Sequence, residues 1–355
     1  MKYTRYIRQT RLKDFGMAAQ QKLGEARVLV VGVGGLGIPA LQYLNAMGVG
    51  TLGLVESDIV ELSNLQRQVL FTENDLGSPK LGAALEKLRA QNSETLFKTF
   101  NCYLNPENAL DIISRFDVVV DATDNFATRY LINDACVILK KPFVYGALHG
   151  FEGQVCVFNF DGGPTYRCLF PKIPTGAEIP DCNENGVLGV IPGIIGNLQA
   201  LEVVKLVTGV GEVLSGNLLL FNGLDQSFQK IRLQLRPENR NISKLLQNYE
   251  TEICGDVPTI TSSELKKLIA SGKPIQLIDV RSHTEFETGH LDASVNIPLD
   301  QLEDRKKEVN ANLPVFLLCQ SGKRSKEAWE KLRKDFKKTP ICSVAGGINS
   351  FRLIR

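Results

Sequence analysis

Two periods of apolar residues alternate along the first half of this chain. Runs at 26–33, 51–56, 96–102, 116–121 and 142–147 are rich in Val, Leu and Phe and predict buried strands. Between them, apolar residues recur with helical spacing at 37–47, 80–91, 106–115 and 125–139. Pro106 follows the cap candidate Asn105, where a first-turn proline is tolerated. Such alternation predicts a parallel sheet covered by helices on both faces. Further runs at 154–159, 216–221 and 228–235 read as hairpin-like, antiparallel strands. The expected fold is therefore α/β, a Rossmann-like mixed sheet whose parallel strands are continued by antiparallel ones.

The polar stretch 236–258 lacks periodicity. It sets the expected division: a domain over 1–250, a linker at 251–258 and a smaller α/β domain over 259–355. In the latter, Thr261 or Ser262 caps a helix at 262–270, with strands at 274–280, 314–319 and 341–344. A helix at 324–336 carries Ala328, Trp329, Leu332 and Phe336 on one face. The segment 186–211 is apolar enough to raise a membrane span. It holds Pro192, Gly193, Gly196, Glu202 and Lys205, and only its second half keeps a helical period with charge on the other face. It reads as a buried helix after a Gly/Pro loop.

Charge changes the picture only by exclusion. With 41 basic and 39 acidic residues, nothing favours nucleic acid or a membrane surface, so any cationic site is local. The start MKYTRYIRQTRLKDF has no apolar core of a signal peptide. Eight scattered cysteines then read as reduced thiols of a cytoplasmic protein.

Candidate chemistry begins at RVLVVGVGGLG. Gly32, Gly34 and Gly37 form a G-x-G-x-x-G turn between a strand and a helix, suited to close approach of a phosphate. Glu56 ends the next strand, where a carboxylate can accept both ribose hydroxyls. These features alone suit an NAD-dependent oxidoreductase equally well. The following segment favours ATP, because Asp58, Asn64, Arg67, Gln68 and Lys80 bring cations that nucleotidyl transfer requires around a triphosphate. Asp124, in DATDN after a strand, is placed to hold Mg²⁺.

With RYIRQ, VGVGGLG, SNLQRQ, GSPK, DATDN and EGQVCVF in order over about 3–255, the chain resembles the MoeB/ThiF family, bacterial relatives of ubiquitin-activating enzymes. The resemblance implies ATP-dependent adenylylation of a small ubiquitin-like sulfur-carrier protein ending in Gly-Gly. It places Gly35 against the phosphates, Glu56 on the ribose where the family more often has Asp, Arg67 and Lys80 on the phosphates, and Asp124 on Mg²⁺. It makes Arg8 an arginine finger reaching the other subunit of a homodimer. Cys182 matches the cysteine that relatives link covalently to the carrier. Most relatives hold zinc with two C-x-x-C pairs, but here Thr165/Cys168 and Thr251/Cys254 have each lost the first thiol. No structural zinc is expected, since two thiolates cannot close a tetrahedral site. Cys168 and Cys254 are expected to lie close together.

PVFLLCQSGKRSKEAW places Cys319 at a strand end, before a loop that opens a helix. Loop N–H groups from Gln320, Ser321 and Gly322, the helix dipole, and nearby Lys323 and Arg324 all favour a thiolate. Residues 257–355 resemble a rhodanese domain through LIDVRSHTEFETGHLDASVNIPL, with Asp279, Arg281, Glu285, His290 and Pro298 in register, and through AGGI. That resemblance implies a Cys319 persulfide, filled by a cysteine desulfurase or another sulfur donor. The competing reading is a non-catalytic scaffold that retains the nucleotide fold.

Overall fold

The computed structural model describes residues 4–173, 186–249, 257–292, 294–320 and 322–352, and the statements below concern these. They fall into two compact units, one holding 4–173 and 186–249, the other 257–352.

The first unit opens with α1 (Ile7–Thr10) and α2 (Gly16–Glu25). Then follow β1 (Arg27–Val31), α3 (Gly37–Ala46), β2 (Thr51–Val55), α4 (Lys80–Gln91), β3 (Leu96–Phe100), α5 (Ala109–Ser114), β4 (Val118–Asp121), α6 (Phe126–Ile138) and β5 (Phe143–His149). After these come β6 (Glu152–Phe158), α7 (Tyr166–Leu169), α8 (Val190–Thr208), β7 (Asn217–Asn222) and β8 (Ser227–Arg232). The strands form one sheet in the order β3-β2-β1-β4-β5-β6-β7-β8. Pairing is parallel from β3 to β5 and antiparallel from β5 to β8. This is the mixed sheet that the sequence predicts.

Strand alternation builds two layers. Val28 and Val30 pack on one face with Leu41 and Leu44, while Leu29 and Val31 pack on the other with Ile112 and Tyr130. Helices differ from expectation in three places. No element is predicted over 7–25, yet this stretch forms α1 and α2. Helix α5 runs from Ala109 rather than 106, and Asn105 caps the turn ahead of it, its carboxamide oxygen accepting the N–H groups of Glu107 and Asn108.

Helix α8 is the third difference. The segment expected as a Gly/Pro loop is already helical from Val190. Pro192 lies in the first turn, where its missing N–H has no intrahelical acceptor to lose. At Gly196 the helix comes so close to α3 that an added Cβ would stand 2.3 Å from the Leu36 carbonyl. Glu202, expected on a charged outer face, is buried and accepts from the Leu214 N–H at 2.8 Å. This helix is long and apolar enough to cross a membrane. Its buried Gln199 instead donates to the Asp121 carbonyl at 2.7 Å, so it is a core helix of the unit.

The second unit contains β9 (Thr259–Ile260), α9 (Ser262–Ala270), β10 (Gln276–Asp279), α10 (His283–Glu287), β11 (Ser294–Asn296), α11 (Leu302–Arg305), β12 (Val315–Leu318), α12 (Lys323–Arg333), β13 (Ile341–Val344) and α13 (Asn349–Arg352). Its sheet is parallel throughout, in the order β11-β10-β12-β13-β9, with β12 in the middle. Thr261 caps α9 through a reciprocal box with Glu264. Ala328, Trp329 and Leu332 bury the apolar face of α12.

One polar tie secures the end of the first unit. Asp134, on α6 and 2% exposed, receives Arg167 at 2.7 Å through two N–H groups and the Tyr249 hydroxyl at 2.9 Å. Removing one partner strands a buried charge. Asp134→Ala is expected to destabilise the first unit by about 3–5 kcal/mol. The chain's single tryptophan, Trp329, lies in the second unit. Urea unfolding followed by circular dichroism should therefore shift while the Trp329 fluorescence transition stays in place.

Candidate functional site

Strand order reverses between β1 and β4, and the cleft opens at their carboxyl ends, where parallel α/β sheets take ligands. It measures about 350 Å³. Gly32, Gly34, Gly35, Glu56, Asp58, Asn64, Arg67, Gln68, Lys80 and Asp124 all line it. Gly37 does not: it starts α3 beneath the turn, where a Cβ would lie 1.9 Å from the Gly32 carbonyl, so its role is packing. Arg8, exposed on α1, is not among the residues that line this cleft.

Glu56 also carries backbone contacts that the sequence did not predict. Its carboxylate accepts the N–H groups of Val33 at 2.9 Å, Ser57 at 2.7 Å and Asp58 at 2.9 Å. These three donors fill three of four lone-pair positions and leave one on Oε2, where a ribose hydroxyl can donate. Its longer reach is spent on organising the loop. Lys80 opens α4 and its nearly buried ammonium meets Asp58 at 3.2 Å. Asp58 also accepts from the Tyr103 hydroxyl at 2.6 Å, and this bond pushes the Tyr103 pKa up to about 12. Asn64 is half committed, closing a 3-10 turn by accepting from the Glu61 N–H at 3.1 Å. Arg67 is held on the Ser63 carbonyl at 2.9 Å.

The structure adds Arg129, which the sequence reading missed. It lines the cleft from α6 and donates to the Thr123 carbonyl at 2.9 Å, beside Asp124. Burial opposes its charge, but Tyr145, Asp121, Tyr166 and Asp124 outweigh that and hold the guanidinium more firmly charged than usual. A lone arginine inside the run FATRYLINDACVI was the available signal. Arg129 Nε and Gln68 Oε1 are buried without partners. These orphaned atoms suit a cleft completed by a polar ligand. Asp124 is exposed to the cleft, which suits Mg²⁺, an ion held by one or two carboxylates together with phosphates.

In the second unit Cys319 follows β12 and is 1% exposed. Its sulfur accepts the Gly322 N–H at 3.0 Å, the loop support that the sequence implies. Arg324, expected to favour the thiolate, has a carboxylate partner that the sequence did not predict. Both of its terminal nitrogens donate to Glu285 at 2.7 Å, so its charge is matched by a carboxylate 39 residues away. Gln320 receives Arg281 at 3.3 Å, and the Ile348 N–H donates to the Cys319 carbonyl at 2.8 Å, fixing the loop from below. Ser321, the Lys323 side chain, Cys182 and Cys254 lie outside the described residues.

Cys168 shows what stands at the altered zinc pair. Its sulfur accepts the N–H groups of Thr165 and Arg236, each at 3.4 Å, and faces the Thr165 hydroxyl at 3.5 Å and the Asn239 amide at 3.7 Å. Burial raises this thiol's pKa, but these donors together bring it below the ordinary value. The residue that faces the sulfur across this pair is a threonine, whose hydroxyl is not among the ligands of structural zinc sites. Metal analysis of purified chain is expected to find well under one zinc per chain, and about one per chain overturns this.

The Glu285–Arg324 pair predicts a pH response. Arg324 is the main cause that pulls the Glu285 carboxyl from 4.5 down to about 2. Its contribution to stability is thus complete above about pH 5 and is lost as pH falls towards 2. Trp329 fluorescence should report falling thermal stability of the second unit across that window. Glu285→Gln should flatten that part of the profile.

The ThiF family model matches residues 6–242, and the rhodanese-like domain model matches 261–353. Among curated proteins, the chain is 41% identical over 377 residues to "Adenylyltransferase and sulfurtransferase MOCS3" of Aedes aegypti, covering 98% of this chain and 86% of that one. It is 40% identical to the Zea mays protein MOCS3-1 of the same description, over 98% and 81% of the two chains. Among solved structures, E. coli MccB with ATP superposes with a TM-score of 0.56 at 22% identity, over 67% of this chain and 69% of that one, a likeness of fold. The chain therefore belongs to the ThiF family and carries a rhodanese-like domain after its nucleotide fold.

Proposed function

We propose that this chain adenylylates the C-terminal glycine of a small ubiquitin-like sulfur-carrier protein ending in Gly-Gly, then supplies sulfur from a Cys319 persulfide. It is an adenylyltransferase and sulfurtransferase, and its first reaction uses ATP. The observation that carries the reading is the convergence of Arg67, Lys80, Asp124 and the glycine turn in one cleft, on a chain that also buries Cys319 before a helix.

A carboxylate is a poor electrophile because it is already an anion. Its oxygen attacks the α-phosphorus of ATP and pyrophosphate leaves, giving an acyl-adenylate. Arg67 and Lys80 face the charge that redistributes over the phosphates. Mg²⁺ held by Asp124 would neutralise phosphate oxygens. The outer sulfur of the Cys319 persulfide then attacks the acyl carbon and AMP leaves. A second thiol, for which we propose Cys182, attacks the Cys319 sulfur, releasing the carrier thiocarboxylate and leaving a disulfide to be reduced. We place the reaction in the cytoplasm, in a homodimer with Arg8 reaching across, and take the persulfide sulfur from a cysteine desulfurase.

Carrier-dependent pyrophosphate exchange tests the first half. Lys80→Ala and Arg67→Ala are each expected to lower kcat/KM by at least about 100-fold. Cys319→Ala should keep exchange while abolishing the exchange of oxygen for sulfur seen in the carrier's intact mass. Absence of exchange with every Gly-Gly-ending carrier tried would overturn the reading.

A further inference from the structure

Two buried hydroxyls behind Cys319 are not accounted for by the chemistry above. Ser325 on α12 and Ser343 on β13 are both 0% exposed, inside an otherwise apolar layer. Their oxygens lie 2.7 Å apart. The Ser325 oxygen is also 3.1 Å from the Gly322 carbonyl and 3.6 Å from the Cys319 sulfur. A core of this kind takes alanine readily, whereas a buried hydroxyl is costly unless bonded.

We infer that Ser343 and Ser325 form a relay that follows the charge on Cys319 by rotating one hydroxyl. Ser325 has one proton and three neighbours, of which the Gly322 carbonyl only accepts. With Cys319 as a thiol, its S–H donates to Ser325 and Ser325 donates to the Gly322 carbonyl. With Cys319 as an anion, the Ser325 O–H turns to the sulfur and joins the Gly322 N–H, so the anion holds two donors. Ser343 donates to Ser325 in both states, which keeps the Ser325 proton from turning towards Ser343. No heavy atom moves, so little reorganisation opposes the change. The positive end of α12 adds to the same preference.

The relay rests on the proposed role of Cys319 and acts on one step of it. The Cys319 thiolate attacks the outer sulfur of a donor persulfide, forming its own S–S bond and releasing the donor thiolate. Ser325 favours the attacking anion, and it favours the same sulfur again when reduction of the disulfide left by thiocarboxylate release frees it as a thiolate. Ser325 and Ser343 are thus positioning residues for the nucleophile.

The test is the pH profile of Cys319 alkylation by iodoacetamide in the full chain, read on the Cys319 peptide by mass spectrometry. Ser325→Ala is expected to move the profile midpoint up by about one pH unit, a roughly tenfold slower reaction at neutral pH, with the high-pH plateau unchanged within about twofold. Ser343→Ala should move it in the same direction by less, and Ser325→Thr should restore it. A variant whose plateau falls while its midpoint stays has lost only packing, and that overturns the relay, as does an unmoved profile. Sulfur loading of Cys319 from a low-molecular-weight persulfide is measured separately. If wild-type Cys319 takes up no sulfur but the midpoints shift, the relay stands and the persulfide reading fails.

Discussion

The carboxyl ends of β1 and β4 lie side by side while the helices that follow them leave for opposite faces of the sheet. That divergence opens the crevice on which every group of the nucleotide cleft depends. The strand ladder persists just past both ends, through Gly32 N–H to the Val55 carbonyl at 2.9 Å and Ala122 N–H to the Val31 carbonyl at 3.0 Å. The glycine turn and the DATDN loop therefore start from a rigid edge. Val28, Val30, Val118 and Val120 anchor that edge in one apolar layer and Leu29, Val31 and Val119 in the other, none more than 4% exposed.

Charge in the cleft is arranged in pairs before any ligand arrives. Lys80 meets Asp58, and Arg129 stands in the field of Asp121 and Asp124. Burial of the Asp121 carboxyl lifts its pKa, which Arg129 and Thr123 partly counter. Glu56 holds three loop N–H groups at once, so a single carboxylate fixes the turn after β1 and the segment after β2. Pairing offsets part of the desolvation penalty of the buried Lys80 and Arg129, and a preset geometry lowers the reorganisation needed during phosphoryl chemistry.

The second unit solves the same problem with a sulfur. Its middle strand, β12, ends at the loop of Cys319, and the Ile348 N–H bonds the Cys319 carbonyl from the AGGI segment. The buried pair Asp279–Arg281 braces the neighbouring strand end and passes one N–H to Gln320. A loop held this firmly can aim backbone N–H groups at one atom.

The sequence by itself determined the elements and most residues of the cleft. Periods of two and 3.6 are local properties, so strands such as 51–56 and helix 80–91 were legible, as was Cys319 at a strand end. Where a local rule met a tertiary demand, the reading failed: Pro192 and Gly196 looked like a loop but lie in α8, because close packing on Leu36 needs a glycine there. Only the tertiary structure decided what each polar group is tied to. The backbone ties of Glu56 and the carboxylate partner of Arg324 were not legible, and Arg129, Ser325 and Ser343 were not singled out. Their partners stand on other loops and elements: Val33 for Glu56, Glu285 for Arg324, Thr123 for Arg129, and each other for the serines. A sequence fixes which groups exist, but the pairing of donors with acceptors across tens of residues is set by how the layers close.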